Sequence, residues 1–149
     1  MKVRAARLSI AAFAAAFAIA LLSPAAYGDE GWIVTSFQSD ISVGADSTLT
    51  VREDIRADFG SQHHHGIFRT IPVRYRYDST RDRYYGLRVE SVMDGSKPVD
   101  FQLSGYDNVT IKIGNPDILV TGAQRYVITY IVQGAMNSFS DHDELFWNV

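Results

Sequence analysis

The chain has no cysteine among its 149 residues. That absence excludes disulfides, thiol nucleophiles and cysteine-based metal sites, so a folded domain must be held by its core alone. No acidic residue precedes Asp29, and all 17 acidic residues lie from there onward. After residue 28 no apolar run is long enough to cross a bilayer as a helix, which takes about 20 residues. Beyond residue 28 no helical window with apolar residues at i, i+3, i+4 and i+7 survives against the alternation of period two. Internal repeats, linker-like stretches, a Gly-x-Ser-x-Gly nucleophile elbow and calcium-loop spacing are also missing. Together these gaps leave no recognisable catalytic constellation, and the expectation is a protein that is not an enzyme.

What is present begins with an export signal over residues 1–27. Lys2, Arg4 and Arg7 give a basic head, and Leu8 to Leu22 is apolar except for Ser9. Pro24 and its small neighbours then supply a cleavage zone after Ala25, Ala26 or Gly28. This three-part layout is that of a secretory signal, whose apolar middle is short for a membrane span; an uncleaved N-terminal anchor is the alternative. Removing it leaves roughly 120 residues, enough for one domain with one core. The mature charge becomes −6, from 11 basic and 17 acidic residues. Such a charge favours solubility and argues against nucleic-acid binding.

Residues 28–149 read as strands. Ile33, Phe37, Ile41 and Val43 keep odd parity, as do Leu49, Val51, Ile55 and Ala57. Alternation of period two marks a half-buried strand, because successive side chains point to opposite faces. Gly44-Ala45-Asp46-Ser47 has turn composition, so 33–57 is expected to be a hairpin. Glu53 interrupts the apolar face and is expected near a strand end or bulge. Further alternating runs are Ile71 to Tyr77, Leu87 to Ser91, Val99 to Leu103, Val109 to Ile113 and Tyr126 to Val132. The run from Tyr126 is apolar at several positions of both parities and is expected to be covered on both faces. Leu145, Trp147 and Val149 begin a last strand, and the apolar stretch at Val149 suggests that a longer protein continues beyond it. About eight strands with frequent turns predict an all-β fold, an antiparallel, immunoglobulin-like β-sandwich, with a closed barrel as the alternative.

Three clusters invite chemical readings. His63-His64-His65 holds imidazoles, which are common metal ligands. In an extended segment only His63 and His65 face the same way, and His142 would have to fold toward them to complete a site. A polar loop is the plainer reading. Arg69, Arg74, Arg76, Arg81, Arg83 and Arg88 lie within twenty residues, interleaved with Tyr75, Tyr77, Tyr84 and Tyr85. Guanidinium forks and tyrosine faces suit phosphates, anionic lipids or acidic glycans. The alternative is a solvated face whose arginines pair with local acids. Asp141, Asp143 and Glu144 read as a solvated turn.

An ordered set of segments resembles the DUF2207 family of predicted bacterial membrane proteins. His65-Gly66-Ile67-Phe68-Arg69-Thr70-Ile71-Pro72 is similar to its HGIxRxIP segment. Ser36–Ile41 followed by Ser47–Glu53 resembles its opening strands. Lys112–Asn115, Gly122 with Tyr126–Tyr130, and Asp143–Val149 resemble later elements in order. The resemblance implies a signal sequence, an extracytoplasmic β-rich domain, and membrane helices in segments absent from this chain. It implies no catalytic activity, so no catalytic residues, metal or cofactor are carried over.

Within that frame Gly66 suits a positive-φ turn and Pro72 a strand start or edge. Arg69 is expected to lock a carboxylate such as Glu53. The expected role is a non-enzymatic module at the extracytoplasmic face that binds an envelope protein or an anionic polymer, with Arg69, Arg74 and Arg76 as interaction or structural residues. A metal- or anion-binding domain using His63, His65 and the arginines of 69–88 is the rival.

Overall fold

The computed structural model describes residues 31–148; the expected export segment lies outside them. In chain order the strands are β1 (Ile33–Val43), β2 (Leu49–Asp58), β3 (Ile67–Pro72), β4 (Arg74–Arg76), β5 (Asp82–Tyr84) and β6 (Gly86–Met93). They continue as β7 (Phe101–Ser104), β8 (Asn108–Ile113), β9 (Ala123–Gln133), β10 (Met136–Ser138) and β11 (Asp143–Leu145). All strand pairings are antiparallel. One sheet has the order β1-β2-β9-β6 and a second the order β3-β8-β7. Two short ribbons, β4-β5 and β10-β11, complete the described fold.

Both larger sheets line one core. Leu49, Val51 and Ile55 come from β2, Ile67 and Ile71 from β3, Ile111 and Ile113 from β8, and Ile128, Tyr130 and Val132 from β9. Burying each such aliphatic side chain contributes about 1.5–3 kcal/mol, which carries the fold in the absence of disulfides. The expected hairpin is present, with β1 and β2 in register from Val43↔Leu49 outward. Its turn closes by the Gly44 N–H donating to the Thr48 carbonyl at 2.8 Å. The Asp46 carboxylate accepts from the Thr48 hydroxyl at 2.7 Å, which holds Asp46 below the usual carboxylate range.

Four expectations change. The first concerns β1, whose apolar residues do not join the core. Phe37, Ile41 and Val43 pair across to Ile55, Val51 and Leu49, so they share the core-facing side of the sheet. Yet Phe37 remains 46% and Val43 53% exposed, because β1 is an edge strand beyond the cover of the second sheet. A register shift between Val34 and Ser36 also reverses parity, so Val34 takes the core-facing side and Ile33 pairs with Asp58. Second, Glu53 lies mid-strand in β2, fully buried, and marks no bulge. Third, the run Ile71–Tyr77 is broken at Val73, whose N–H donates to the Asp107 carbonyl and whose own carbonyl accepts from the Tyr85 N–H. Tyr77 is consequently exposed. Fourth, the strand expected at 145–149 is the short β11, which ends at Leu145; Trp147 packs against the core and Val149 lies outside the described residues.

In β6 the register shifts between Val89 and Ser91, so Val92 takes the buried place. β9 is central, and Val127 is buried on the face opposite the main core while Ile131 is half-buried. Cover on its second face is therefore partial.

Candidate binding surfaces

Glu53 is the one fully buried charged residue among the described residues. Its environment satisfies it. Arg69, from β3, donates through Nε at 2.7 Å and through a second guanidinium nitrogen at 2.8 Å. The Tyr130 hydroxyl, from β9, donates to the same carboxylate at 2.7 Å. Burial opposes the Arg69 charge, but the Glu53 carboxylate outweighs it and holds the guanidinium above the usual arginine range. Burial and the Glu53 hydrogen bond push the Tyr130 phenol well up. Two-pronged charge-assisted bonds of this kind fix geometry as well as energy. The pairing of Arg69 with Glu53 anticipated from the sequence is thus present, and it ties the two sheets together.

Arg69 also borders an open groove. Its guanidinium carbon sits 5.5 Å from the Phe37 ring centroid. Between β1 and β3 the groove encloses about 350 Å³ and is walled by Trp32, Val34, Phe37, Ile55, Ile67 and Phe68. Phe68 is 70% exposed there. On the same face of β1 the Ser39 hydroxyl is buried without a hydrogen-bond partner among the described residues. Among the described residues the outer edge of β1 has no neighbouring strand in its sheet. Along its eleven residues the only charged side chain is Asp40.

The arginine-rich stretch is largely neutralised from within. Arg74 bridges Asp82 and Asp107, which raises its pKa further above the usual arginine value. Arg76 pairs with Asp82 at 2.9 Å, Arg81 with Asp78 at 2.7 Å, and Arg88 with Glu90. Distant acids such as Asp107 were invisible to a reading of the local sequence. Arg83 alone in this stretch contacts no carboxylate among the described residues; it donates to the Asn137 side-chain oxygen.

Three of the four histidines make contacts within the fold, and His63 is exposed. His64 stacks on Phe59 with ring centroids 4.4 Å apart and forms a backbone bridge with Val120. The His65 Nδ1 lies 3.0 Å from the Ile118 carbonyl oxygen. His142 stacks on Phe139 and contacts Asp141 at 2.9 Å. No group of three or more His, Cys, Asp or Glu among the described residues is placed to hold a metal ion.

Residues 34–149 match the family model described as the N-terminal domain of a predicted membrane protein, DUF2207. The chain belongs to the DUF2207 family. Nothing among curated proteins or solved structures matches it. The family description supports membrane association, although no helix among the described residues is long and apolar enough to cross a membrane.

In this DUF2207 domain the segment His65–Pro72 does several jobs at once. Gly66 has φ +138°, and a Cβ there would meet the Ile113 carbonyl oxygen at 1.9 Å. Gly114 reciprocates, since its Cβ would meet the His65 oxygen at 1.8 Å. Two backbones therefore cross where neither can carry a side chain. Ile67 and Ile71 enter the core, Arg69 reaches Glu53, and Pro72 closes the edge strand β3, where a missing donor is tolerated. The DUF2207 sequence gave no local sign of Tyr130 as third partner to Glu53; only its place on the core face of β9 hinted at it.

Proposed function

We propose that this DUF2207 domain is a non-catalytic, extracytoplasmic interaction module that receives an extended segment of a partner protein along β1. The two sheets around one core are read as a β-sandwich left open on its β1–β3 side. The observation that carries the reading is the β1 edge itself. It combines a backbone edge unpaired among the described residues with Val34, Phe37, Ile41 and Val43 exposed on one face. Natural edge strands are usually blunted by charge, proline or cover, and a long apolar one is a template for strand addition. With Asp40 as its one charge, already near Arg52 at 3.5 Å, β1 complements an apolar strand better than a charged polymer. Main-chain bonds would supply affinity, and the groove beside Arg69 would take alternate side chains. The export-signal pattern and the membrane description of the family support placing this surface outside the cytoplasm.

A photo-crosslinking residue in place of Gln38, in cells making the whole protein, tests this. The expected product joins β1 to a segment with apolar residues at alternate positions, and it disappears with Phe37→Lys. Attachment to lipid, to polymer, to a helical segment or to nothing overturns the proposal, and a product of twice the chain mass reassigns the edge to self-pairing.

A further inference from the structure

A second surface lies at the opposite chain region and does not depend on the β1 reading. A cleft of about 210 Å³ forms where the β4-β5 ribbon meets the β10-β11 ribbon. Tyr75, Tyr77 and Phe146 supply aromatic walls, and Tyr85 lies deeper at 4% exposure. Tyr75 packs on Tyr85 at 5.1 Å and on Phe146 at 5.8 Å between ring centroids, so the walls brace one another. Arg83 lies over the Tyr77 ring at 5.4 Å.

Among the described residues two hydroxyls of this cleft lack acceptors. The Tyr75 and Tyr85 hydroxyls are both buried with no hydrogen-bond partner among the described residues. An unmatched buried hydroxyl is costly and calls for a reason. Arg83 has an amide oxygen, from Asn137, but no carboxylate. Every other arginine between 69 and 88 has an acid partner. Burial pushes the Tyr85 phenol up, and the neighbouring Arg83 charge partly offsets this. Glu144 at the rim, bound by Asn137 at 3.2 Å, can accept hydroxyl donors.

We infer that this cleft binds a carboxylate-bearing sugar ring. The guanidinium of Arg83 takes the carboxylate, the tyrosine hydroxyls donate to it or to ring oxygens, and the aromatic walls pack against the apolar face of the ring. Arginine forks match carboxylates, and aromatic faces suit C–H surfaces. Glu144 and Asn137 then read the sugar hydroxyls.

Titration of the full chain with sodium glucuronate, followed by amide and arginine side-chain NMR, tests this. Saturable shifts are expected at Tyr75, Tyr77, Arg83 and Phe146. Glucose and acetate, at equal concentration, are expected to bind at least ten-fold more weakly. Arg83→Gln should weaken glucuronate at least ten-fold, while Arg88→Gln, outside the cleft, should not. Tyr85→Phe should weaken binding without lowering the melting temperature, because its hydroxyl has no partner among the described residues. Absent shifts, equal response to acetate, or glucuronate binding indifferent to Arg83 overturns the inference. So does a lowered melting temperature in Tyr85→Phe, which would give the hydroxyl a structural post.

Discussion

Arg69 on β3 grips Glu53 on β2 through two hydrogen bonds of 2.7 and 2.8 Å, with the carboxylate wholly shielded from water. Removing the guanidinium leaves a buried carboxylate with only the Tyr130 hydroxyl. Arg69→Met is expected to cost about 3–5 kcal/mol, the range for breaking one side of a buried pair. Adding Glu53→Leu to that variant should recover much of the loss, since a matched apolar replacement removes the stranded charge. Urea denaturation of the single and double variants measures both. Equal stability of Arg69→Met and the parent would remove the clasp from the account.

The backbone crossing at Gly66 and Gly114 makes a second prediction. Gly66→Ala must push a methyl against the Ile113 carbonyl and hold a φ that alanine rarely adopts. A loss of more than about 1 kcal/mol is expected. Gly122, with φ +63° and open space around it, should tolerate alanine better. Comparing the two variants by thermal melting separates steric conflict from backbone strain.

Stability should fall at acid pH. Asp54 is held below 3.8 by its hydrogen bond from Arg125, and Asp94 by the Lys97 N–H. A lowered folded pKa stabilises the fold above the unfolded value, and that contribution fades as pH falls through it. The melting temperature should therefore drop below pH 3.8, the ordinary value for both. Asp54→Asn should lower it slightly at neutral pH and flatten the acid limb.

The alkaline limb has the opposite sign. Tyr85, Tyr126 and Tyr130 are all raised above 10.0, chiefly by burial. Their contribution is complete below that value and is lost as pH climbs past it. Absorbance at a phenolate wavelength should show these three ionising together with unfolding, after the exposed tyrosines. Tyr130→Phe should shift that late phase and also weaken the Glu53 clasp.

Much of the sheet was readable from alternation. The hairpin, β8 and the core face of β9 follow from residues such as Val51, Ile111 and Ile128, which are buried as their parity requires. Parity says which face a side chain shares, though, and not whether a second layer reaches it. That is why Phe37 and Ile41 looked like core and stand at an open edge. Small displacements in pairing were also hidden, and the shift at Val34 exchanged Ile33 for its neighbour. Of the sites, the link from Arg69 to Glu53 was legible because a charge inside an apolar run demands a counter-charge. The aromatic cleft was not, since Arg83 and Asn137 stand 54 positions apart and meet only through ribbon packing.

The three-way centre of Glu53, Arg69 and Tyr130 also constrains the order of assembly. Its members sit 16 and 77 positions from Glu53 along the chain. A polypeptide emerging from its N-terminus cannot neutralise Glu53 until the segment bearing Arg69 arrives, nor finish the centre until Tyr130 follows. The early hairpin is thus born with an unanswered charge at its middle, which disfavours premature burial and keeps the nascent chain pliable for threading. Completion waits for the ninth strand.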